Sequence, residues 1–148
     1  MNDPHNLQRF VAAQNQPVDQ TDATVFERAC QELRSGHKQE HWMWFIFPQV
    51  KGLGQSPLSR KFAISSLAEA GAYLAHPVLG PRLRESTRLM NLIAGRTAAQ
   101  ILGYTDQVKF RSSMTLFARA TPDNQVFVNA LEKYFSGEPD ELTLAQLG

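Results

Sequence analysis

Apolar residues recur along most of this chain at spacings of three and four, which place side chains on one face of an α-helix. These stripes predict four longer helices, at about 22–35, 76–94, 105–120 and 122–136. Shorter helices are predicted after Asp3-Pro4, Ser56-Pro57, Ser66 (with Glu69 in a capping-box pattern) and Asp140, and a turn or helix at 101–102. No alternating pattern indicates a sheet. We therefore expect an all-α fold, a compact single domain over residues 1–148 with about seven or eight short helices around an aromatic core.

The segment 41–49, HWMWFIFPQ, departs from this pattern and is called the tryptophan motif below. It holds both tryptophans of the chain and an unbroken apolar run from Trp42 to Phe47. Periodicity does not distinguish strand from helix here, because every face would be apolar. Pro48 requires only that a helix end by Phe47. Buried aromatic side chains each remove roughly 150–250 Å² from water, so we expect this motif to form the core. Polar groups should converge on it, because each buried indole N–H needs a partner.

The composition narrows the classes of protein that fit. A chain of 148 residues suits one domain that buries roughly two-thirds of its unfolded surface. Its 43% hydrophobic and 20% charged residues are typical of a globular protein rather than a disordered one. The formal net charge of +1 gives no reason to expect nucleic acid or an anionic membrane as a partner.

The cellular compartment is inferred from features that the sequence lacks. No run approaches the roughly 18 apolar residues of a membrane span, and the N-terminus lacks the basic and apolar regions of a signal peptide. Cys30 is the single cysteine, so no intrachain disulfide forms, which suits a reducing compartment. We therefore expect a cytoplasmic protein. Because Cys30 lies within an apolar stripe, we expect a buried, unreactive thiol.

Neither a metal nor a cofactor is expected. His37 and His41 are four residues apart, which could place two ligands on one helix face, but no spacing supplies the further ligands that zinc needs. Glu40 is not at the position that the H-E-x-x-H pattern requires. The Gly-Leu-Gly at 52–54 resembles the start of a dinucleotide loop, but Pro57 occupies the position of the third glycine.

A candidate site combines polar residues from two predicted helices. These residues are Arg82, Glu85, Asp106, Lys109 and Ser112. Glu85 is the local partner for Arg82, which lies beside an apolar stripe. Cations and hydroxyls on one wall suit phosphate or ribose, and a carboxylate can act as a general base or stabilise a cationic transition state. The same residues could instead form a buried ion-pair network between closely packed helices.

Motifs along the whole chain form a combined pattern. They are LQRF at 7–10, HWMWFIFPQ at 41–49, GLG at 52–54, AYLAHPVLG at 72–80, Lys109, SSMTLF at 112–117, Gly137, Asp140 and Thr143. Together they resemble the domain of unknown function DUF1810, whose members are sometimes labelled calpastatin. The resemblance implies a small, mainly helical bacterial protein and brings no established activity.

A weaker similarity concerns an alanine-rich helix before Pro77, the segment 82–87, and Asp106 after a glycine turn. This order is similar to the second half of the NADAR-type N-glycosidases, which cleave ribosyl N-glycosidic bonds in ADP-ribose or riboflavin-pathway compounds. The similarity implies that Glu85 and Asp106 match two carboxylates of those enzymes. This chain has Gln-Val at 107–108 where those enzymes have Trp-Gly.

Two hypotheses follow. In the first, the protein is an N-glycosidase-like hydrolase for a nucleotide or ADP-ribosyl compound, with Glu85 and Asp106 as catalytic carboxylates. The residues expected to bind the substrate are Lys38, His41, Trp42, Trp44, Gln49, Arg82, Lys109 and Ser112. In the second, the protein is a non-catalytic binding or interaction module with the tryptophan motif as structural core. The first hypothesis predicts that Glu85 lines an open pocket beside a tryptophan. Neither hypothesis predicts an oligomeric state.

Overall fold

The computed structural model describes residues 3–19 and 22–148. Within these residues the chain forms ten helices: α1 Gln8–Gln14, α2 Val25–Ser35, α3 Met43–Ile46, α4 Pro57–Lys61, α5 Leu67–Ala75, α6 Leu79–Leu92, α7 Ala98–Leu102, α8 Tyr104–Ala120, α9 Gln125–Phe135 and α10 Glu141–Leu147. Apart from isolated β-bridges, no strand is present in this part of the chain. The all-α prediction is confirmed. The helices outnumber the expected seven or eight because 43–46 and 98–102 each form a separate short helix.

A side-chain cap explains why one helix begins later than predicted. α2 begins at Val25 rather than Asp22, because Thr24 and Glu27 form a reciprocal capping box at 3.2 and 2.8 Å. Asp3 does accept the N–H groups of Leu7 and Gln8, at 2.8 and 3.0 Å, but α1 begins only at Gln8. The predicted C-terminal ends of the helices agree better with the structure, since α2 ends before Gly36 and α3 ends before Phe47.

The core is built on aromatic side chains from α1, α5, α8 and α9. Phe10 contacts Tyr73 edge to face at 5.1 Å, and Tyr73 lies 5.3 Å from Phe117. Phe47, in the tryptophan motif, packs edge to face on Phe110 of α8 at 4.8 Å. α8 is the central helix, since it contacts α5, α7, α9 and α10. Trp42 is fully buried within the same core. The expectation of an aromatic core that includes the motif is therefore confirmed.

The described helices include none long and apolar enough to cross a membrane.

Cys30 is 4% exposed, and burial raises the pKa of its thiol. An unreactive, protonated thiol is what the apolar stripe of α2 predicts.

Arg9 of α1 joins three parts of the fold. Its guanidinium donates to the carbonyl oxygens of Lys61 and Ala63, each at 2.8 Å, and to the Glu69 carboxylate of α5 at 2.8 Å. Glu69 is 3% exposed and also accepts the N–H and hydroxyl of Ser65. Its carboxylate is therefore used by Arg9 and Ser65, and the predicted capping box at Ser66 forms only its Ser66 half.

Replacing Glu69 with glutamine is expected to lower the free energy of unfolding near neutral pH by about 1–3 kcal/mol, because Arg9 loses its charged partner. Burial acts to raise the pKa of Glu69, but hydrogen bonds from Arg9 and Ser65 outweigh it and lower the pKa. The stabilisation is thus present above the ordinary pKa of 4.5 and is lost as the pH falls through the folded-state value. Urea titrations of both proteins between about pH 7 and about pH 3 measure the difference. A difference that does not shrink in acid would contradict this assignment.

Candidate functional site

The tryptophan motif is held by one buried carboxylate on α2. Glu32 is 6% exposed, and its Oε1 accepts the indole N–H of Trp42 at 2.9 Å. The same oxygen accepts the backbone N–H groups of Gln39 and Glu40, at 2.8 and 3.0 Å. Polar groups were expected to converge on the motif, but sequence reasoning did not identify Glu32. The available signal was its position beside Ala29 and Leu33 on the buried face of α2.

Five of the predicted site residues come together from three segments of the chain. We call them the lysine–tryptophan cluster: Lys38, Trp42, Trp44, Asp106 and Lys109. Asp106, in the first turn of α8, lies 2.9 Å from the Lys38 ammonium and 3.5 Å from that of Lys109. The Lys38 ammonium lies 5.1 Å from the centroid of the Trp42 ring. The Lys109 ammonium lies 5.3 Å from that of Trp44.

The cluster is poorly exposed for a group of charged side chains. The Lys38 and Asp106 side chains are only 8% and 18% exposed. The backbone N–H of Lys38 donates to the Ile101 carbonyl at 2.7 Å, which links the loop before the motif to α7. Charges this poorly hydrated interact more strongly than charges on an open surface. Two ammonium groups share one carboxylate, so the cluster carries one positive charge in excess.

Gln49 lies at the edge of the cluster. It lines a depression of about 10 Å³ together with Trp44, Lys109 and other residues. That volume has room for about one water-sized group. A larger ligand would therefore bind over the outer face of the cluster, where Trp44 and Lys109 are partly exposed.

Glu85 lies outside this cluster and lines none of five cavities found between the described residues. Its carboxylate pairs with Arg88 through two hydrogen bonds of 2.8 and 2.7 Å, with 37% of the Glu85 side chain exposed. The Arg88 guanidinium lowers the pKa of Glu85. None of these five cavities has both Glu85 and a tryptophan in its lining. A catalytic role for Glu85 stays a prediction without geometric support.

The expected Arg82–Glu85 pair is not formed. Arg82 turns instead toward α1 and α2, where it donates to the Gln14 side chain at 3.2 Å. Its guanidinium lies 4.8 Å from the centroid of the Phe26 ring. Arg82 therefore joins three helices and takes no part in the lysine–tryptophan cluster.

Ser112 is buried and occupied by structural contacts. Its hydroxyl lies 3.1 Å from the Val108 carbonyl and 3.2 Å from the Asp140 carboxylate. The same carboxylate accepts the N–H and hydroxyl of Thr143, at 2.9 and 2.7 Å, and so caps α10. In this arrangement Ser112 connects α8 to α10, and it is not positioned to bind phosphate at the cluster.

His41 and Trp42 differ in their access to a ligand. His41 is exposed on the rim of a cleft of about 290 Å³. Trp42 lies in the inner wall of that cleft but has no solvent-exposed surface. In this conformation Trp42 offers no ring face to a base, whereas Trp44 is partly exposed.

Comparisons with known proteins agree with the resemblance noted in the sequence. The chain matches the family described as "Protein of unknown function (DUF1810)" over residues 4–147. It is similar to the crystal structure of the conserved hypothetical protein Rv1873 from Mycobacterium tuberculosis, with 52% identity, a TM-score of 0.92 and 98% of each chain covered. No curated protein matches the chain. Because the family match spans nearly the whole sequence, the chain belongs to the DUF1810 family of proteins of unknown function.

Proposed function

We propose that the protein binds a small anionic compound, a nucleotide or ADP-ribosyl molecule, at the lysine–tryptophan cluster, and that it does not cleave the ligand. The observation that carries the proposal is the convergence of Lys38 and Lys109 on Asp106, at 2.9 and 3.5 Å. The excess positive charge suits a phosphate group, which accepts several charge-assisted hydrogen bonds at once.

The partly exposed Trp44 supports a nucleotide over a simple anion. An aromatic ring beside cations is a common platform for a base, and stacking contributes roughly 1–3 kcal/mol per base. Lys109 lies at 5.3 Å from the ring centroid of Trp44, so phosphate and base contacts fall within the reach of one small ligand. Gln49, at the edge of the cluster, adds an amide that can donate and accept.

The position of Glu85, in an ion pair with Arg88, supports the proposal that the ligand is not cleaved. An N-glycosidase needs a carboxylate beside the scissile bond. Asp106 is the carboxylate within the cluster, and both lysines already contact it. This geometry favours binding by the cluster over catalysis.

Titration with ADP-ribose, NAD and AMP, followed by intrinsic tryptophan fluorescence, tests the proposal. We expect saturable quenching with at least one ligand, weakened by added salt because the attraction is electrostatic. Lys109→Gln should weaken binding at least about tenfold, since it removes a charge-assisted hydrogen bond but leaves the Lys38–Asp106 pair in place. Unchanged affinity in Lys109→Gln, or no response to any of these compounds, would overturn the proposal.

Lys133→Gln is the matched control. Lys133 also lies over an aromatic ring, at 5.6 Å from the centroid of Tyr134, but on α9 and without a tryptophan. Lys133→Gln loses the same positive charge as Lys109→Gln but outside the cluster, so its affinity for the nucleotide ligands should equal that of the wild type. Chromatography of NAD and ADP-ribose incubated with the wild type should recover them intact. Release of the base that is abolished by Glu85→Gln would instead support the hydrolase hypothesis.

A further inference from the structure

The cleft beside the tryptophan motif is a second feature that could bind a small molecule. Its volume of about 290 Å³ lies at the lower end of the range for small-molecule sites. The apolar part of its lining is formed by Val18, Val25, Trp42 and Phe45, and the polar part by Asp19, Arg28, Glu40 and His41. Apolar walls with a few polar groups at one edge are typical of ligand sites.

Two opposite charges at the rim form only a long ion pair with each other. The Arg28 guanidinium lies 3.9 Å from the Glu40 carboxylate, which is too long for a hydrogen bond. Neither side chain has another ion pair or side-chain hydrogen bond with the residues that the structure describes. The Arg28 and Glu40 side chains are 32% and 56% exposed, so both are accessible to a charged ligand.

The position of Glu40 is set in advance by the fold. Its backbone N–H donates to the buried Glu32 carboxylate at 3.0 Å, and the same oxygen accepts the indole N–H of Trp42 in the wall of the cleft. Arg28 lies within α2. A rim whose backbone is already ordered loses less entropy when a ligand binds.

We infer that this cleft binds a free α-amino acid with an apolar side chain. The ammonium and carboxylate of an amino acid are attached to one carbon, so they lie side by side as the Arg28 and Glu40 charges do. The ligand carboxylate pairs with Arg28 and its ammonium with Glu40, which gives four charges of alternating sign. Its side chain packs on Val25 and Phe45 and loses apolar surface to water. The site shares Trp42 with the lysine–tryptophan cluster, but it uses none of the charged residues of that cluster.

Titration of isotope-labelled protein with L-leucine, followed by backbone amide NMR, tests the inference. We expect saturable shifts at Val25, Glu40 and Phe45. L-leucinamide lacks the carboxylate and 4-methylpentanoate lacks the ammonium, so each should bind at least about tenfold more weakly than leucine. No saturable shift, or an equal response to all three compounds, overturns the inference.

Variants assign the two charges. Arg28→Gln and Glu40→Gln should each weaken leucine binding at least about tenfold, with unchanged melting temperatures because both side chains are partly exposed. Arg34→Gln is the control, since Arg34 lies on the same helix but lines a different cavity. Lys109→Gln should bind leucine normally, so this site is tested independently of the anion site. Wild-type affinity in both rim variants would also overturn the inference.

Discussion

Replacing Gly80 with alanine is expected to destabilise the protein by about 3–5 kcal/mol. A Cβ at Gly80 would lie 2.0 Å from the carbonyl oxygen of Leu74 and 2.9 Å from its carbonyl carbon. These are backbone atoms of α5, so no side-chain rotation relieves the contact. The chain must separate α5 from α6, and this movement disturbs the packing of Tyr73 and Leu83 in the core. Urea unfolding followed by circular dichroism measures the loss.

Gly71→Ala is the matched control for Gly80→Ala. Gly71 also lies within a helix, but the nearest atom to its added Cβ is the Ala120 carbonyl oxygen at 4.0 Å. Alanine is the better helix former, so this variant should be more stable than the wild type by about 0.5–1 kcal/mol. If the two glycine-to-alanine variants change the free energy of unfolding in opposite directions, the loss at Gly80 is due to close packing and not to helix propensity. Equal stabilisation in both variants would show that α5 and α6 do not pack as described.

Replacing Glu32 with alanine is expected to destabilise the protein by about 3–5 kcal/mol, because three N–H groups lose one acceptor. The donors are the backbone of Gln39, the backbone of Glu40 and the indole of Trp42. Glu32→Gln retains an oxygen at this position and should cost only about 1–2 kcal/mol. Urea unfolding gives the free energies. Tryptophan emission of folded Glu32→Ala should shift to longer wavelength as water reaches Trp42.

Glu85→Gln is the control for the Glu32 variants. It also removes a carboxylate, but from a partly exposed pair with Arg88, so the loss should stay below about 1 kcal/mol. A similar small loss in Glu32→Ala would contradict the view that this carboxylate holds the loop and the motif together. The comparison matters for function, because the same loop carries Lys38 and Glu40.

The lysine–tryptophan cluster was partly predictable from the sequence. Asp106 and Lys109 are three residues apart on a predicted helix, so their contact is local. Lys38 and Trp44 are sequence-based candidates because they are in or near the tryptophan motif. The pairing of Lys38 with Asp106 depends on how α7 and α8 pack against the loop before the motif, as the hydrogen bond from Lys38 to Ile101 indicates. Helical periodicity carries no information about that contact.

Glu85 shows where local reasoning fails. Arg82 and Arg88 are each three residues from it on α6, and both are plausible partners. The predicted ion pair between Arg82 and Glu85 is wrong. Arg82 contacts Gln14 and Phe26 on other helices, and Glu85 pairs with Arg88. Which of the two arginines pairs with Glu85 depends on the contacts that each makes with neighbouring helices, and only the folded structure contains that information.

The sequence by itself determined the all-α class, the approximate helices and the contribution of the tryptophan motif to the aromatic core. These properties depend on periodicity, caps and apolar content, which act over a few residues. Tertiary structure alone decided that Glu32 would hold the motif, that Ser112 would join α8 to α10, and that Gly80 would contact the Leu74 carbonyl. Each of these contacts depends on how separate elements lie in three dimensions, and the identity of a single residue does not specify its partner across such a distance.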